Sequence, residues 1–267
     1  MTSVAVAVAQ FAPIADVSVN LEVIETLVAE ASDRGARMVV FPEYSSYFVD
    51  PFDETLRAHA QDLDGDFAVA LTSLAAAHDL TIVAGLVERG SDHRRVRNAV
   101  VAVDAGGVRA VYRKLHLYDA FGHRESDWVE PGTGIGATFE LDGFTVGLMT
   151  CYDLRFPEVG RLLVDAGADL IVVPAEWVRG PLKEHHWRTM IHARAIENTA
   201  FVAAADHPPP LGVGLSMIVD PLGVEIAALG TTTGIAVAHL DGGMIERVRR
   251  VNPALELRRY RVTPIGD

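Results

Sequence analysis

The rhythm of apolar and polar positions changes repeatedly along the chain. Ser3 to Gln10 shows a strand-like alternation, Leu21 to Arg34 carries Leu21, Ile24, Leu27, Val28 and Ala31 at helical spacing, and Met38 to Phe41 reads as a short buried strand. Further on, the same periods predict a helix over Asp66 to His78 and a strand over Leu80 to Leu86. Asn98 to Val103 and Val108 to Arg113 then flank Asp104-Ala105-Gly106-Gly107, whose glycines supply the positive φ a tight turn needs. A second hairpin turns at Asp142-Gly143 and runs out along Phe144 to Thr150. Helix Phe156 to Ala166, strand Leu170 to Val173, helix Glu184 to Thr199 and strand Phe201 to Ala205 follow, with a third hairpin at Pro221-Leu222-Gly223. Strands alternating with helices predict an α/β or layered α+β fold. No stretch reads as a linker, so residues 1–267 are taken as one domain.

Gly35 to Pro42 and Gly167 to Pro174 repeat a Gly-Ala-x-apolar-Pro pattern at a constant offset of 132 residues, each after a strand and a helix. Two β-α-β halves packed sheet against sheet with helices outside would produce such an echo.

Composition narrows the function. With 267 residues, 49% of them apolar, the chain can bury a core without staples, and its single Cys excludes an internal disulfide. Lys plus Arg number 23 against 36 for Asp plus Glu, a formal charge of −13, which argues against nucleic acid or an anionic membrane as partner. The opening MTSVAVAVAQFAP has no basic residue before its apolar run, unlike a signal peptide. Apolar runs such as Leu170 to Ala175 fall far short of the roughly 20 residues that span a bilayer. The expectation is a cytoplasmic protein with a reduced thiol.

Three strand ends carry candidate chemistry. In Leu148-Met149-Thr150-Cys151-Tyr152-Asp153-Leu154-Arg155-Phe156-Pro157-Glu158 an apolar strand ends at the only Cys, and a helix begins within a few residues with Pro157 in its first turn. A thiol at such a turn is placed for nucleophilic attack and partly activated by the helix dipole, although a small buried Cys is the commoner occupant. Glu43 follows the strand Val39-Val40-Phe41-Pro42 directly, where α/β folds collect functional groups or simply expose a loop carboxylate. Lys114, in Tyr112-Arg113-Lys114-Leu115-His116-Leu117, lies where a half-buried strand runs out and would either enter a pocket or cover an edge.

Taken together, Phe41-Pro42-Glu43, Tyr112-Arg113-Lys114-Leu115-His116-Leu117 and Cys151-Tyr152-Asp153-Leu154-Arg155-Phe156-Pro157-Glu158 resemble, in order and interval, the motifs of the nitrilase-type carbon–nitrogen hydrolase superfamily, in its amidase-like branch. Arg194-Ala195-Ile196-Glu197-Asn198 and the Asp220-Pro221-Leu222-Gly223 turn extend the resemblance over nearly the whole chain. It implies a four-layer αββα sandwich of two mixed β-sheets, dimerising through its helices or forming a higher homo-oligomer, and Glu43, Lys114 and Cys151 as the catalytic triad. A second carboxylate is expected after the Lys motif; Glu125, beside Ser126, fits better than Glu130, though the surrounding segment departs from the commonest branches.

On that resemblance Cys151 attacks an amide carbon and forms a thioester. Glu43 is general base and acid, Lys114 and the Tyr152 amide stabilise the oxyanion, and Glu125 orients Lys114 or the substrate. Arg155 either reaches a substrate carboxylate, as the matching residue does in the ω-amidase-like branch, or pairs with Glu158. The reaction expected is cofactor-free, metal-free hydrolysis of a small linear amide, with or without a carboxylate, to an acid plus ammonia. Within the superfamily, N-carbamoyl hydrolysis or nitrile hydrolysis is the alternative. Outside it stand a Cys-His hydrolase using His116, His123 or His192, and a binding protein that lost its chemistry. Glu184, His185, His186 and His192 lack the spacing of a zinc helix, and Arg194 with Glu197 reads as a structural pair. Gly132 to Gly136 reads as turns. Substituting any triad member is expected to abolish turnover with little loss of folding. Segments 117–130 and 176–187 are expected to line the pocket.

Overall fold

The first strand shows how the layers are made. A computed structural model of the chain describes residues 3–92, 94–134 and 137–265. In β1 (Ser3–Gln10), Val4, Val6 and Val8 face the core between two sheets, while Ala7 and Ala9 face helices on the other side. Both faces are buried, so large side chains fill the inter-sheet space and small ones admit a helix close to the strand.

From β1 the chain runs through α1 (Val17–Asp33), β2 (Met38–Val40), α2 (Glu54–Ala58), α3 (Asp66–His78), β3 (Thr81–Arg89), β4 (Val96–Asp104) and β5 (Gly107–Arg113). The second half repeats the plan with β6 (Thr138–Leu141), β7 (Phe144–Leu148), α4 (Pro157–Asp165), β8 (Leu170–Pro174), α5 (Lys183–Asn198), β9 (Phe201–Ala205), β10 (Met217–Val219) and β11 (Glu225–Ala228). Then β12 (Gly234–Asp241) returns to pair antiparallel with β1 from Ser3–Asp241 to Gln10–Gly234, and α6 (Gly242–Val251) follows. The sheet orders are β12-β1-β2-β3-β4-β5 and β11-β10-β9-β8-β7-β6. In each, three parallel strands (β1-β2-β3 and β7-β8-β9) continue into two antiparallel ones. With helices outside, this is the expected αββα sandwich, and the echo at residues 35–42 and 167–174 marks the same strand, β2 and β8, in the two halves.

Element boundaries differ from the sequence pattern where a cap decides them. Helix α1 starts at Val17 rather than Leu21 because the Asp16 carboxylate accepts from the amides of Ser18 (2.9 Å) and Val19 (3.2 Å). The turn at Asp142-Gly143 has φ of 45° and 86°, the paired left-handed geometry of a two-residue hairpin. Residues 132–134 lie outside helix and strand, as expected of turns, and Ile135 and Gly136 of that stretch fall outside the described residues. Among the described residues no helix is long and apolar enough to cross a membrane.

One glycine is dictated by contact. Gly85, inside β3, underlies the turn after β2: its amide donates to Pro42 O (3.1 Å) and its carbonyl accepts from Ser46 N (3.0 Å). A Cβ there would stand 2.3 Å from Tyr44 N and 2.7 Å from Glu43 Cα. Gly85→Ala is therefore expected to lower stability by about 1–3 kcal/mol or more, through overpacking against backbone that cannot yield. A denaturant midpoint equal to wild type would show that the turn is not seated on β3.

Candidate active site

The Glu43, Lys114 and Cys151 side chains come from the ends of β2, β5 and β7 and share the wall of one cavity of about 340 Å³, with Glu125 beside them. Cys151 itself opens a 3₁₀ turn, Cys151–Arg155, at a positive φ of 43°. Non-glycine residues seldom adopt that backbone, and it swings the side chain out of the strand direction into the cavity. Thr150 and Asp153 form a capping box across the turn, and Thr150 Oγ1 donates to Pro174 O at 2.7 Å, fastening it to the end of β8. Pro157 occupies the first turn of α4, as its fixed φ favours.

A buried charge cluster holds the three groups in register. Lys114 Nζ donates to Glu43 Oε1 at 2.9 Å and reaches Glu125 Oε2 at 2.8 Å, and all three side chains are sealed from solvent. Asn98 Nδ2 bridges the same carboxylates, 2.6 Å from Glu43 Oε1 and 3.0 Å from Glu125 Oε1. Glu125 also accepts from Tyr44 Oη (2.6 Å) and from the Tyr118 amide (2.6 Å). The backbone of Glu176 spans the gap to the sulfur: its amide donates to Glu43 Oε2 at 2.7 Å, and its carbonyl accepts from Cys151 Sγ at 3.3 Å.

Two carboxylates around one ammonium leave an uncompensated negative charge, and the proton affinities reflect it. Burial, reinforced by the Glu125 charge, pushes Glu43 above the usual carboxylate range despite Lys114 beside it. Burial opposes ionisation of Glu125 as well, but the Lys114 charge and hydrogen bonds from Lys114, Tyr44 and Tyr118 outweigh it and bring its pKa down. Burial also acts against the Lys114 charge, yet Glu125 and Glu43 hold it well above the ordinary lysine value. The Cys151 thiol is pushed well up by burial and by the Glu43 charge, against the pull of Lys114. The expectation of a thiol partly activated by a helix dipole is thus corrected: the resting group is S–H, because burial dominates.

Asp153 ties the two strand ends together. Its buried carboxylate accepts from Tyr112 Oη (2.7 Å), from the His116 amide (3.2 Å) and from His116 Nδ1 (2.8 Å), so the residues two before and two after Lys114 are bound to the turn that carries Cys151. From the other side Arg194, in α5, donates to Leu154 O and pairs with Glu197 at 2.8 Å, the structural pair expected of it.

The remaining residues singled out from sequence separate clearly. Tyr152 and Arg155 line a side recess that shares Cys151 with the main cavity. Arg155 lies over Trp177, its Cζ 4.9 Å from the ring centre, and does not pair with Glu158. Glu130 is bound to Ser91 and Arg97, away from the cluster, so Glu125 is the carboxylate at Lys114. His116 stacks on Phe156, His192 pairs with Glu225 at 3.1 Å, and His123 is an exposed residue of the cavity mouth. Among the described residues no cluster of His, Cys, Asp or Glu is arranged to hold a metal ion.

Several contributors were not singled out beforehand. Asn98 is a polar residue at an inward position of an apolar strand, a signal that was available. Asp206 and His207 follow the apolar β9 directly, the rule that marked Glu43. Asp206 accepts from the Trp177 amide (2.7 Å), and His207 Nε2 bonds Glu43 O at 2.7 Å, kept neutral by burial that brings its pKa to about 4. Tyr118, Glu176 and Lys183 carry no local signal, although all lie in the two segments expected to line the pocket.

The model of the carbon-nitrogen hydrolase family matches residues 5–250. The chain is 39% identical over 256 residues to a deaminated glutathione amidase of Escherichia coli O157:H7, covering 96% of this chain and 97% of that protein. Among solved structures it resembles the C. elegans NitFhit protein (TM-score 0.88, 27% identity), covering 97% of this chain and 66% of that longer one. It also resembles an amidase from Nesterenkonia sp. (TM-score 0.77, 25% identity), covering 96% and 97% of the two chains. With its three motif residues gathered at one cavity and the family match spanning almost its full length, the chain belongs to the carbon–nitrogen hydrolase family of enzymes.

Proposed function

We propose that the protein is a cofactor-free amidase that hydrolyses a small linear amide, one bearing a carboxylate, through a thioester on Cys151. The observation that carries this reading is the Glu176 backbone, which holds the Cys151 thiol at its carbonyl and the Glu43 carboxylate at its amide. Nucleophile and base are thereby held at the two ends of one peptide group, with Glu43 also paired to Lys114. The relatives named as amidases and as a deaminated glutathione amidase support the bond type, and Arg155 in the recess supports a carboxylate on the substrate.

In the reaction Glu43 takes the thiol proton as sulfur attacks the amide carbon, and the carbonyl electrons move onto oxygen. Lys114 has three N–H bonds; the two carboxylates engage part of them, and a remaining one is free for the oxyanion. The Tyr152 amide, among the first of the Cys151–Arg155 turn, has no partner within that turn and serves as the second donor. As the intermediate collapses, the C–N bond breaks and Glu43 returns the proton to the departing amine or ammonia. Water then attacks the thioester as Glu43 removes its proton, and the C–S bond breaks to release the acid while Glu43 returns that proton to the sulfur and restores the thiol. Glu125 holds the Lys114 ammonium in place throughout.

Cys151→Ala is expected to abolish hydrolysis with the melting temperature retained. Glu43→Gln should lower kcat roughly 100- to 10,000-fold, as loss of a general base does. Lys114→Ala is expected to cost about 3–5 kcal/mol of stability besides activity, because it strands two buried carboxylates. This replaces the expectation of intact folding for every triad variant. Ammonia and amine release from succinamate, an N-carbamoyl compound and a nitrile, with acid-quench mass spectrometry of the acyl-enzyme, tests the assignment; a Cys151→Ala protein that still turns over the preferred substrate would refute it.

The pH profile provides a separate check. Glu43 must be ionised to accept the thiol proton, and its pKa is raised by burial, so activity is lost as pH falls through that raised value. The acid limb of kcat/KM is expected above the ordinary glutamate value of 4.5. A limb at or below that value would assign the base elsewhere.

A further inference from the structure

The recess beside Cys151 gathers two cations, neither of them in an ion pair among the described residues. Arg155 Cζ lies 4.9 Å from the Trp177 ring centre and 5.5 Å from that of Phe121. Lys183 Nζ lies 5.4 Å from the same Trp177 ring and 4.6 Å from the same Phe121 ring. Both positive groups therefore share two aromatic faces. Lys183 is only 6% exposed and spends one N–H on Tyr118 Oη at 2.8 Å, while Nε and one terminal nitrogen of Arg155 are buried with no partner. Among the described residues neither side chain makes an ion pair. Lys183 is moreover the first residue of α5, the positive end of that helix's dipole.

This arrangement has a net cost to folding. The like charges repel, the buried Lys183 has lost hydration, and the aromatic faces return only part of the loss. Repulsion from Arg155 adds to burial in depressing the Lys183 pKa. Glu176, the one carboxyl group in the recess, makes no ion pair with either cation, and burial and the Glu43 charge push its pKa well above the usual carboxylate range. An anion at the mouth of the recess, where the recess meets the main cavity at Cys151, would offset the guanidinium charge and accept from the remaining ammonium N–H bonds.

We propose that Lys183 is a specificity-determining residue, the second arm of a two-cation clamp that, with Arg155, grips a carboxylate on the acyl chain of the amide held at Cys151. The proposal rests on the amidase reading of Cys151 and adds a residue to it. Arg155 presents a planar fork to both carboxylate oxygens, and Lys183 adds a point charge from the side. Because Cys151, Arg155 and Lys183 wall the same narrow recess, the carboxylate sits a few bonds from the reacting carbon.

The test compares succinamate with butyramide, which has the same length and a methyl group in place of the carboxylate, in the wild-type chain and in Lys183→Met, Lys183→Gln and Lys183→Arg. The ratio of kcat/KM for succinamate over butyramide is expected to fall roughly 10- to 100-fold in the Met and Gln variants, mostly through KM, and to recover in large part with Arg. If both substrates decline together so that the ratio stays put, Lys183 only supports the recess and the proposal is overturned. Binding is read separately as protection of Cys151 from iodoacetamide by succinate: half-protection should need a similarly higher succinate concentration in Lys183→Met, and equal protection in the two proteins would also overturn the clamp. Wild-type protein protected by succinate but inert toward every amide would instead retain the clamp and refute the amidase reading.

Discussion

An ammonium sealed from water needs counter-charge within bonding distance, and Lys114 has Glu43 and Glu125 at 2.9 and 2.8 Å. That requirement draws together the end of β2, the end of β5 and the 3₁₀ turn at Glu125–Asp127, which are far apart in the chain. The cluster carries one negative charge more than it can balance. The excess is useful: it raises the proton affinity of Glu43, the carboxylate nearer the sulfur, and leaves Glu125 ionised as a fixed anchor. Two chemically identical side chains thus acquire different properties from their surroundings alone.

The rest of the site is built to bring sulfur to that cluster. Asp153 binds the residues flanking Lys114 to the Cys151 turn, and Arg194 braces the same turn from α5 through Leu154 O. His207, neutral and buried, holds the Glu43 carbonyl, and Gly85 leaves room for the turn to lie directly on β3. The left-handed backbone of Tyr44 (φ 57°) and Cys151 (φ 43°) has a local cost that this surrounding network offsets. Removing the desolvated cation would disturb this frame more than removing the sulfur, because the charges stabilise the packing and the thiol does not.

Away from the cluster, the cavity divides by chemistry. Its main part is walled by aromatic residues such as Phe48 and Phe52, and its side recess by the two cations over Trp177. Cys151 belongs to both parts, so its sulfur faces an aromatic wall on one side and the cations on the other. The segments between strands and helices supply these walls, while the strand ends supply Glu43, Lys114 and Cys151, a division common in layered α/β folds.

Local pattern by itself determined the elements: β1, α3 and β9 have the residue limits that periodicity predicts, and the repeat at 35–42 and 167–174 anticipated two like halves. For the site it marked candidates only: Glu43, Lys114 and Cys151 each follow an apolar strand, a place that structural residues also occupy, and it was the resemblance to a family that singled them out together. What it could not contain was any property set by through-space neighbours. The raised thiol, the divergence of Glu43 from Glu125, the placement of Arg155 over Trp177 instead of beside Glu158, and the approach of Lys183 to Arg155 all arise between residues remote in sequence. Burial and Coulomb interaction depend on distance in the folded chain, and only the packing of one sheet against the other sets those distances.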